Sequence, residues 1–250
     1  MSGTPSPPNP PPPTILFVSG TDTDVGKTYC AAAIARRLVH SGVRLGVYKP
    51  VASGCRRQVE GWIADDARQL WDAAGKPRTL RDVCPQCFEA PLAPPEAARI
   101  AGTEVDAEKL RAAAQPWERG DFDVLLVEGA GGLLSPLADG VLNIDLARQF
   151  EPARLLIVAH NRLGVIHQVL ATCEAAQRRG AQPAGILLCC REPAGDLSLQ
   201  SNADQIRRYT EIPILGEVKY GGGVETLDLT AILARSDPPD SGQPLIADQP

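Results

Sequence analysis

Apolar residues arrive along this chain in short unbroken runs: Ile15 to Val18, Leu45 to Tyr48, Val124 to Val127, Leu155 to Ala159 and Gly185 to Cys190. Each run is bounded by charge, glycine or proline and shows no polar alternation, which predicts strands buried on both faces, as in a parallel sheet. Residues 212–216 predict one more short strand. Between the runs the spacing turns helical, over Ala31 to His40, Ile63 to Ala74, Val105 to Arg119, Val165 to Arg179 and Ser201 to Tyr209. Residues 56–62 read as a loop, and 77–95 as irregular with a strand near Val83 to Phe88. Strands alternating with helices imply right-handed crossovers and one α/β domain, a mostly parallel sheet with helices on both faces.

The two ends break the pattern. Met1 to Pro13 is almost wholly Pro, Ser, Gly, Thr and Asn, and Ser236 to Pro250 is rich in Pro and Asp. Neither can bury much apolar area, so a disordered tail over 1–13, a domain over 14–235 and a flexible tail over 236–250 are expected.

Composition narrows the partners. With 44% hydrophobic residues the chain can fill a core, and 30 acidic against 25 basic residues give a net charge of −5. No Lys/Arg run tracks a nucleic-acid backbone, no apolar run spans a bilayer, and the N-terminus lacks the apolar segment of a secretory signal. A soluble cytoplasmic protein that binds neither nucleic acid nor membrane is expected. Seven cysteines without a signal argue for reduced thiols. Cys84-Pro85-Gln86-Cys87 lacks two further ligands for zinc, and it precedes a proline-rich stretch where a thioredoxin-like pair would open a helix. It reads as a pair of structural thiols.

The main chemical signal is Phe17-Val18-Ser19-Gly20-Thr21-Asp22-Thr23-Asp24-Val25-Gly26-Lys27-Thr28. A strand stops at glycine, a polar turn follows, and Gly26-Lys27-Thr28 opens a helical pattern. Glycines let the backbone N–H groups converge, and with the positive helix end they form a cradle for phosphate. Lys27 adds a charge near the outer phosphates, and the Thr28 hydroxyl can ligate magnesium. Five residues separate Gly20 from Gly26, one more than in the common motif.

Two further strand ends point to the same edge. Lys49 follows Tyr48 and leads into Pro50-Val51-Ala52-Ser53-Gly54, and ligands of parallel sheets bind beyond the carboxyl ends of strands. Glu128 ends the Val124–Val127 run before Gly129-Ala130-Gly131-Gly132, where phosphate-loop enzymes keep a metal-binding or water-positioning carboxylate. Asp65 and Asp66, in the first turn of a predicted helix, are dipole partners on pattern alone.

Together the loop from Gly20 to Thr28, the Lys49-Pro50-Val51-Ala52-Ser53-Gly54 strand end and Val127 to Gly132 closely resemble the dethiobiotin synthetases. Arg162-Leu163-Gly164 and Leu215-Gly216-Glu217 match as well, so the resemblance runs from about Ile15 to Val218. It implies an ATP- and magnesium-dependent ligase acting on 7,8-diaminononanoate and carbon dioxide. A carbamate formed on the diamine attacks the γ-phosphate, and the second amine closes a ureido ring.

The resemblance also implies the site. Lys27 would neutralise the β- and γ-phosphates, and Lys49 would bridge carbamate and transferring phosphoryl group. Thr23 and Ser53 would hold the carbamate end. Thr28, Asp66 and Glu128 would hold magnesium, with Asp66 chosen over Asp65 because Asp66-Ala67 matches the family pattern. The nucleotide would also lie against Asp24, Val25, Gly26, Tyr29, Gly129, Ala130 and Gly131. A homodimer is implied, with Leu163, Gly164 and Val165 at a helix N-terminus receiving the substrate carboxylate bound by the other subunit.

Two rivals read differently. A ParA/MinD-like nucleotide switch usually carries a second lysine early in the loop, where this chain has Thr21 to Asp24; a non-catalytic homologue sits poorly with Lys27, Thr28, Lys49 and Glu128 all in place. The chain departs from the family on the base side. Cys189-Cys190 stands where an Asn-Asp pair commonly reads adenine, and a thiol cannot both donate and accept as a carboxamide does. Residues 217–220 also lack the usual proline. Weaker or altered discrimination among nucleotides is therefore expected, measured as turnover with ATP, CTP and GTP; a strong preference for ATP overturns it.

Overall fold

The computed structural model describes residues 11–59, 61–191, 197–221, 227 and 229–233. The tail expectations for 1–10 and 236–250 lie outside the described residues. In chain order the elements are β1 (Thr14–Gly20), α1 (Lys27–His40), β2 (Leu45–Tyr48), β3 (Arg56–Gln58), β4 (Gly61–Ile63), α2 (Asp65–Ala73), α3 (Leu80–Val83), α4 (Pro94–Ile100) and α5 (Ala107–Ala112). They continue with β5 (Val124–Glu128), β6 (Pro136–Ala138), β7 (Val141–Leu142), α6 (Asn143–Gln149), β8 (Arg154–His160), α7 (Val165–Arg178), β9 (Pro183–Cys189), α8 (Leu199–Arg207), β10 (Ile214–Val218) and α9 (Leu229–Leu233).

Six strands form one sheet in the order β10-β9-β8-β1-β5-β2, and every neighbouring pair is parallel. The apolar runs explain this directly, because β5 is buried along its whole length and only a sheet covered on both faces hides such a strand. Alternate side chains of β9 divide between two cores. Ile186 and Leu188 pack with Val165, Val169 and Cys173 of α7 and Ile206 of α8. Leu187 and Cys189 join the larger core with Ala31, Ile34 and Leu38 of α1. Helices therefore cover both faces.

Topology sets the position of the site. The chain winds to one side of β1 through β2 and β5, then crosses to β8 on the other, so the loop after β1 opens where the direction reverses. Ligands of open α/β sheets bind at that point. Register matters as much: Tyr48 lies opposite Val127, so Lys49 and Glu128, each one residue further on, leave the sheet side by side.

Several local expectations are corrected. Residues 56–58 and 61–63, expected to lie in or beside a loop, pair as the strands β3 and β4, with Arg56 opposite Ile63; the strands are largely exposed, so no apolar alternation announces them. The strand near Val83 to Phe88 does not form: α3, started by the Thr79–Asp82 capping box, runs to Val83, and the residues after it are irregular. Only Cys87 keeps a strand-like bridge, to Ala52. The helix over 105–119 divides into α5 and a 3-10 turn over Gln115–Glu118, because Pro116 cannot continue an α-helical ladder. Pro94 and Pro95 open α4 inside the stretch read as irregular, which is where proline is tolerated. Among the described residues no helix is long and apolar enough to cross a membrane.

Candidate nucleotide and phosphoryl-transfer site

β1 delivers the chain to the phosphate loop, and α1 starts at Lys27, a turn earlier than its Ala-rich pattern indicates. The residue before it, Gly26, is left-handed (φ 94°), and a Cβ there would lie 2.5 Å from Cys189 Sγ. Both the backbone and the space demand glycine. Asp24 is also left-handed (φ 62°), and Arg191 holds it through an ion pair of 2.5 Å. Lys27 folds back over the loop, donating from Nζ to Asp22 O at 2.9 Å.

The loop borders a cavity of about 640 Å³ at the carboxyl ends of the strands. Thr23, Asp24, Gly26, Lys27, Thr28 and Tyr29 line it from the loop; Lys49, Ser53 and Asp66 line it from β2 and α2, and Ala130 and Gly131 from the turn after β5. Glu128 lies just beneath, fully buried. One of its oxygens, Oε1, accepts from Lys49 Nζ at 2.7 Å and from Thr28 Oγ1 at 2.7 Å. Lys49 also pairs with Asp66 Oδ2 at 3.2 Å. The two acidic neighbours thus separate: Asp66 faces the cavity, while Asp65 turns outward to Arg56.

The two lysines differ electrically. Burial would push the Lys49 pKa down, but Glu128 and Asp66 together with the Glu128 hydrogen bond more than offset it, and the pKa stands above the ordinary lysine value. Lys49 is therefore a fixed cation. Burial dominates at Lys27 and lowers its pKa to about 8 despite Glu128. Lys49 in turn holds the Asp66 carboxyl below its usual range.

The cavity's oxygen donors also fit a hard cation. Glu128 Oε2 is buried with no hydrogen-bond partner among the described residues, and Thr28 Oγ1 and Asp66 stand beside the same lysine–glutamate pair. Magnesium takes such oxygen ligands and fills the rest of its octahedron with water or phosphate.

Some expected residues lie elsewhere. Val25 and Gly129 are buried behind the loop. Cys189 is buried and in hydrogen-bond contact with Cys30, and Cys190 donates to Glu217 Oε1 at 3.1 Å. Neither lines the cavity. Leu163, Gly164 and Val165 sit at the start of α7: Leu163 is 81% exposed, Gly164 is left-handed, and Val165 is buried.

Two residues were missed. Asn143 is fully buried and clasps the glycine-rich turn, its Oδ1 accepting from Ala130 N at 3.1 Å and its Nδ2 donating to Ala130 O and Gly132 O at 2.6 and 2.8 Å. A Cβ at Gly129 would lie 2.1 Å from that amide oxygen. An asparagine opening a helix reads as an ordinary cap, so no pattern marks it. Arg191 lines the cavity; it lies just beyond the end of β9, and the strand-end rule that found Lys49 would have found it.

A phosphate loop at the reversal point of a parallel sheet, with a lysine and two carboxylates at its mouth, defines a P-loop nucleotide-binding enzyme. A family model described as an AAA domain matches residues 14–226. The chain is 45% identical over 218 residues to the ATP-dependent dethiobiotin synthetase BioD of Rhodopirellula baltica, covering 84% of this chain and 85% of that one. It is 36% identical over 221 residues to the protein of the same name from Aromatoleum aromaticum, covering 88% of this chain and 97% of that one. Among solved structures the fold resembles the signal recognition particle receptor FtsY of Elizabethkingia anophelis, with a TM-score of 0.50 and 15% identity over 86% of this chain and 61% of that chain. The chain belongs to the ATP-dependent dethiobiotin synthetase family.

Lys27 links pH to both folding and binding. Its folded pKa of about 8 lies below the ordinary lysine value of 10.5, so the unfolded chain binds more protons across that window and stability rises with pH there. Nucleotide affinity should move the other way, falling as pH climbs through 8 and Lys27 loses its charge. Titrations of nucleotide between about pH 7 and 9.5 check this, with Lys27→Arg removing the dependence because arginine stays charged. A flat profile in the unaltered protein overturns it.

Proposed function

We propose that this chain is an ATP- and magnesium-dependent dethiobiotin synthetase that converts 7,8-diaminononanoate and carbon dioxide to dethiobiotin. The observation that carries the reading is Lys49, a buried cation held by Glu128 and Asp66 at the mouth of the phosphate loop. An ammonium has three donors. Two reach the carboxylates at 3.2 and 2.7 Å, and the third is left for the cavity.

The chemistry calls for such a group. A carbamate is a weak anionic nucleophile that must approach a polyanion in line, so fixed positive charge and positioning supply most of the catalysis. Lys49 bridges the carbamate oxygen and the transferring phosphoryl group. Its raised pKa makes it an electrostatic clamp and not a base. Lys27 neutralises the β- and γ-phosphates, and the loop N–H groups after Thr23 cradle them. Thr23 and Ser53 orient the carbamate end. When the carbamate oxygen attacks the γ-phosphorus, ADP leaves; the second amine then attacks the carbamate carbon, the ureido ring closes, and phosphate departs. Thr28, Asp66 and Glu128 would hold magnesium, which supplies charge neutralisation between the outer phosphates.

A homodimer completes the reading. α7 begins without a side-chain cap; Val165 N already donates to Arg162 O at 3.1 Å, but the positive end of the helix still suits a carboxylate, and Leu163 stands exposed beside it. These residues do not line the cavity of their own chain, which agrees with a role toward the substrate of a second copy. A use for ATP and seven free cysteines suit the reducing cytoplasm.

Two measurements test the proposal. Incubation with the diamine, bicarbonate, magnesium and ATP should release phosphate only when the diamine is present and yield a product of dethiobiotin mass, with Lys49→Ala reducing turnover by roughly 1,000-fold; release that ignores the diamine sinks the reading. Light scattering should report a dimer that Leu163→Asp weakens, with KM for the diamine raised; a monomer of full activity removes the interface.

A further inference from the structure

Cys84 and Cys87, expected to be structural thiols, meet in the fold together with a third cysteine. Cys87 Sγ donates to Cys84 Sγ at 3.5 Å, and Cys55 is in side-chain hydrogen-bond contact with Cys87. Cys55 and Cys84 are buried, while Cys87 is half-buried. Cys84 and Cys87 open onto a second cavity of about 610 Å³, walled by Trp62, Trp71, Arg68 and Arg81, that shares no lining residue with the nucleotide cavity. Two cysteine sulfurs in contact at the wall of an open cavity are placed as a dithiol is.

The sulfurs are differentiated. Once ionised, Cys87 accepts hydrogen bonds from Cys55 and Cys84, and these, with the charge of Lys49, hold its pKa well below the usual thiol value against the cost of burial. The Cys84 thiol is pushed up, by its contact with Cys87 and by burial. One sulfur is thus the nucleophile and its neighbour the resolving thiol.

The pair is also wired to the site. Lys49 N donates to Val83 O at 2.8 Å, Ala52 N to Gln86 O at 2.9 Å, Phe88 N to Ala52 O at 2.9 Å, Cys55 N to Phe88 O at 2.9 Å and Gly54 N to Ala90 O at 3.2 Å. The strip that carries Lys49 and Ser53 therefore lies hydrogen-bonded along the strip that carries the two cysteines. A disulfide needs its sulfurs about 2.05 Å apart, so closing the 3.5 Å gap pulls on the strip that carries both sulfurs, and that strip is the hydrogen-bond partner of the Lys49–Ser53 strip.

We propose that Cys84 and Cys87 are a redox-active dithiol, open to peroxides through the second cavity, whose disulfide displaces the segment holding Lys49 and Ser53. In the first step the Cys87 thiolate attacks one peroxide oxygen, the O–O bond breaks, and a sulfenic acid forms with loss of hydroxide, which takes a proton to become water. In the second, Cys84 loses its proton, its sulfur attacks the Cys87 sulfur, the S–O bond breaks, and water leaves. Two thiols and one hydrogen peroxide give one disulfide and two waters, two electrons passing from sulfur to oxygen. The catalytic consequence rests on the synthetase reading, and misplacing a catalytic group by about 1 Å costs up to about 100-fold.

The test uses the full chain treated with hydrogen peroxide. Alkylation and peptide mass mapping should find a Cys84–Cys87 disulfide, diamine-dependent phosphate release should fall at least tenfold, and dithiothreitol should restore it. Cys87→Ser should keep its activity under the same treatment, and Cys84→Ala should accumulate a dimedone-reactive sulfenic acid at Cys87. Both thiols remaining alkylatable in the unaltered protein overturns the proposal. So does a disulfide that leaves the rate unchanged, or equal inactivation of Cys87→Ser. If the reduced protein never shows diamine-dependent release, the synthetase reading fails and the coupling falls with it, while the mapping still decides the dithiol.

Discussion

The buried pairing of Lys49 with Glu128 is the constraint around which this protein is arranged. An ammonium and a carboxylate taken out of water cost several kcal/mol each, about as much as a domain's whole margin of stability. They are tolerated because the geometry is good, at 2.7 Å, and because Asp66 and Thr28 share the load. That geometry in turn requires β2 and β5 to be parallel neighbours in one register, α2 to begin beside them, and α1 to start with its threonine pointing at the same oxygen. Three separate strand-to-loop junctions converge on one carboxylate, so the site and the sheet topology stand or fall together.

Two lysines a short distance apart illustrate how burial alone does not determine charge. Lys49 is the more deeply buried, yet it is the more firmly protonated, because its carboxylates are in contact; Lys27 faces only a backbone carbonyl and more distant acids. The first is a permanent fixture of the cavity wall. The second is a charge that anionic phosphate would stabilise on arrival, which suits a residue whose partner is the ligand itself.

Much of this was legible in the sequence, for identifiable reasons. Strands buried on both faces leave unbroken apolar runs, so all six sheet strands stood out, the last one two residues early, and the run ends put Lys49 and Glu128 on one edge. That they leave the sheet side by side rests on the β2–β5 register, which no run discloses. Glycines and Gly26-Lys27-Thr28 marked the loop because backbone conformation and phosphate charge leave few alternatives. What escaped is held by polar contacts that leave no pattern in the sequence. Asn143 works through backbone groups of the turn it clasps, Arg191 through an ion pair across the fold, and the β3–β4 pair through its ladder, the Arg56–Asp65 ion pair and one buried residue, Ile63, none of which imposes a periodicity. Asp65 and Asp66 are chemically equal in one dimension; the family pattern singled out Asp66, and the first turn of α2 shows why, turning it to the cavity and Asp65 to Arg56. Cys55 was equally invisible as a partner for Cys84 and Cys87, since pairing between two irregular strips leaves no mark on either.

The cysteine at position 189 ends with a different meaning from the one its place in the chain suggests. Its sulfur lies where a side chain on Gly26 would go and touches Cys30 one turn into α1, so it forms the floor under the phosphate loop. Residues 26, 30 and 189 then behave as one volume shared three ways. In the language of sequence drift they make a single character: a bulkier residue at any one of them is admissible only with a smaller or displaced neighbour. A departure from the usual residue at 189 is thus answered first in the shape of the loop that holds phosphate.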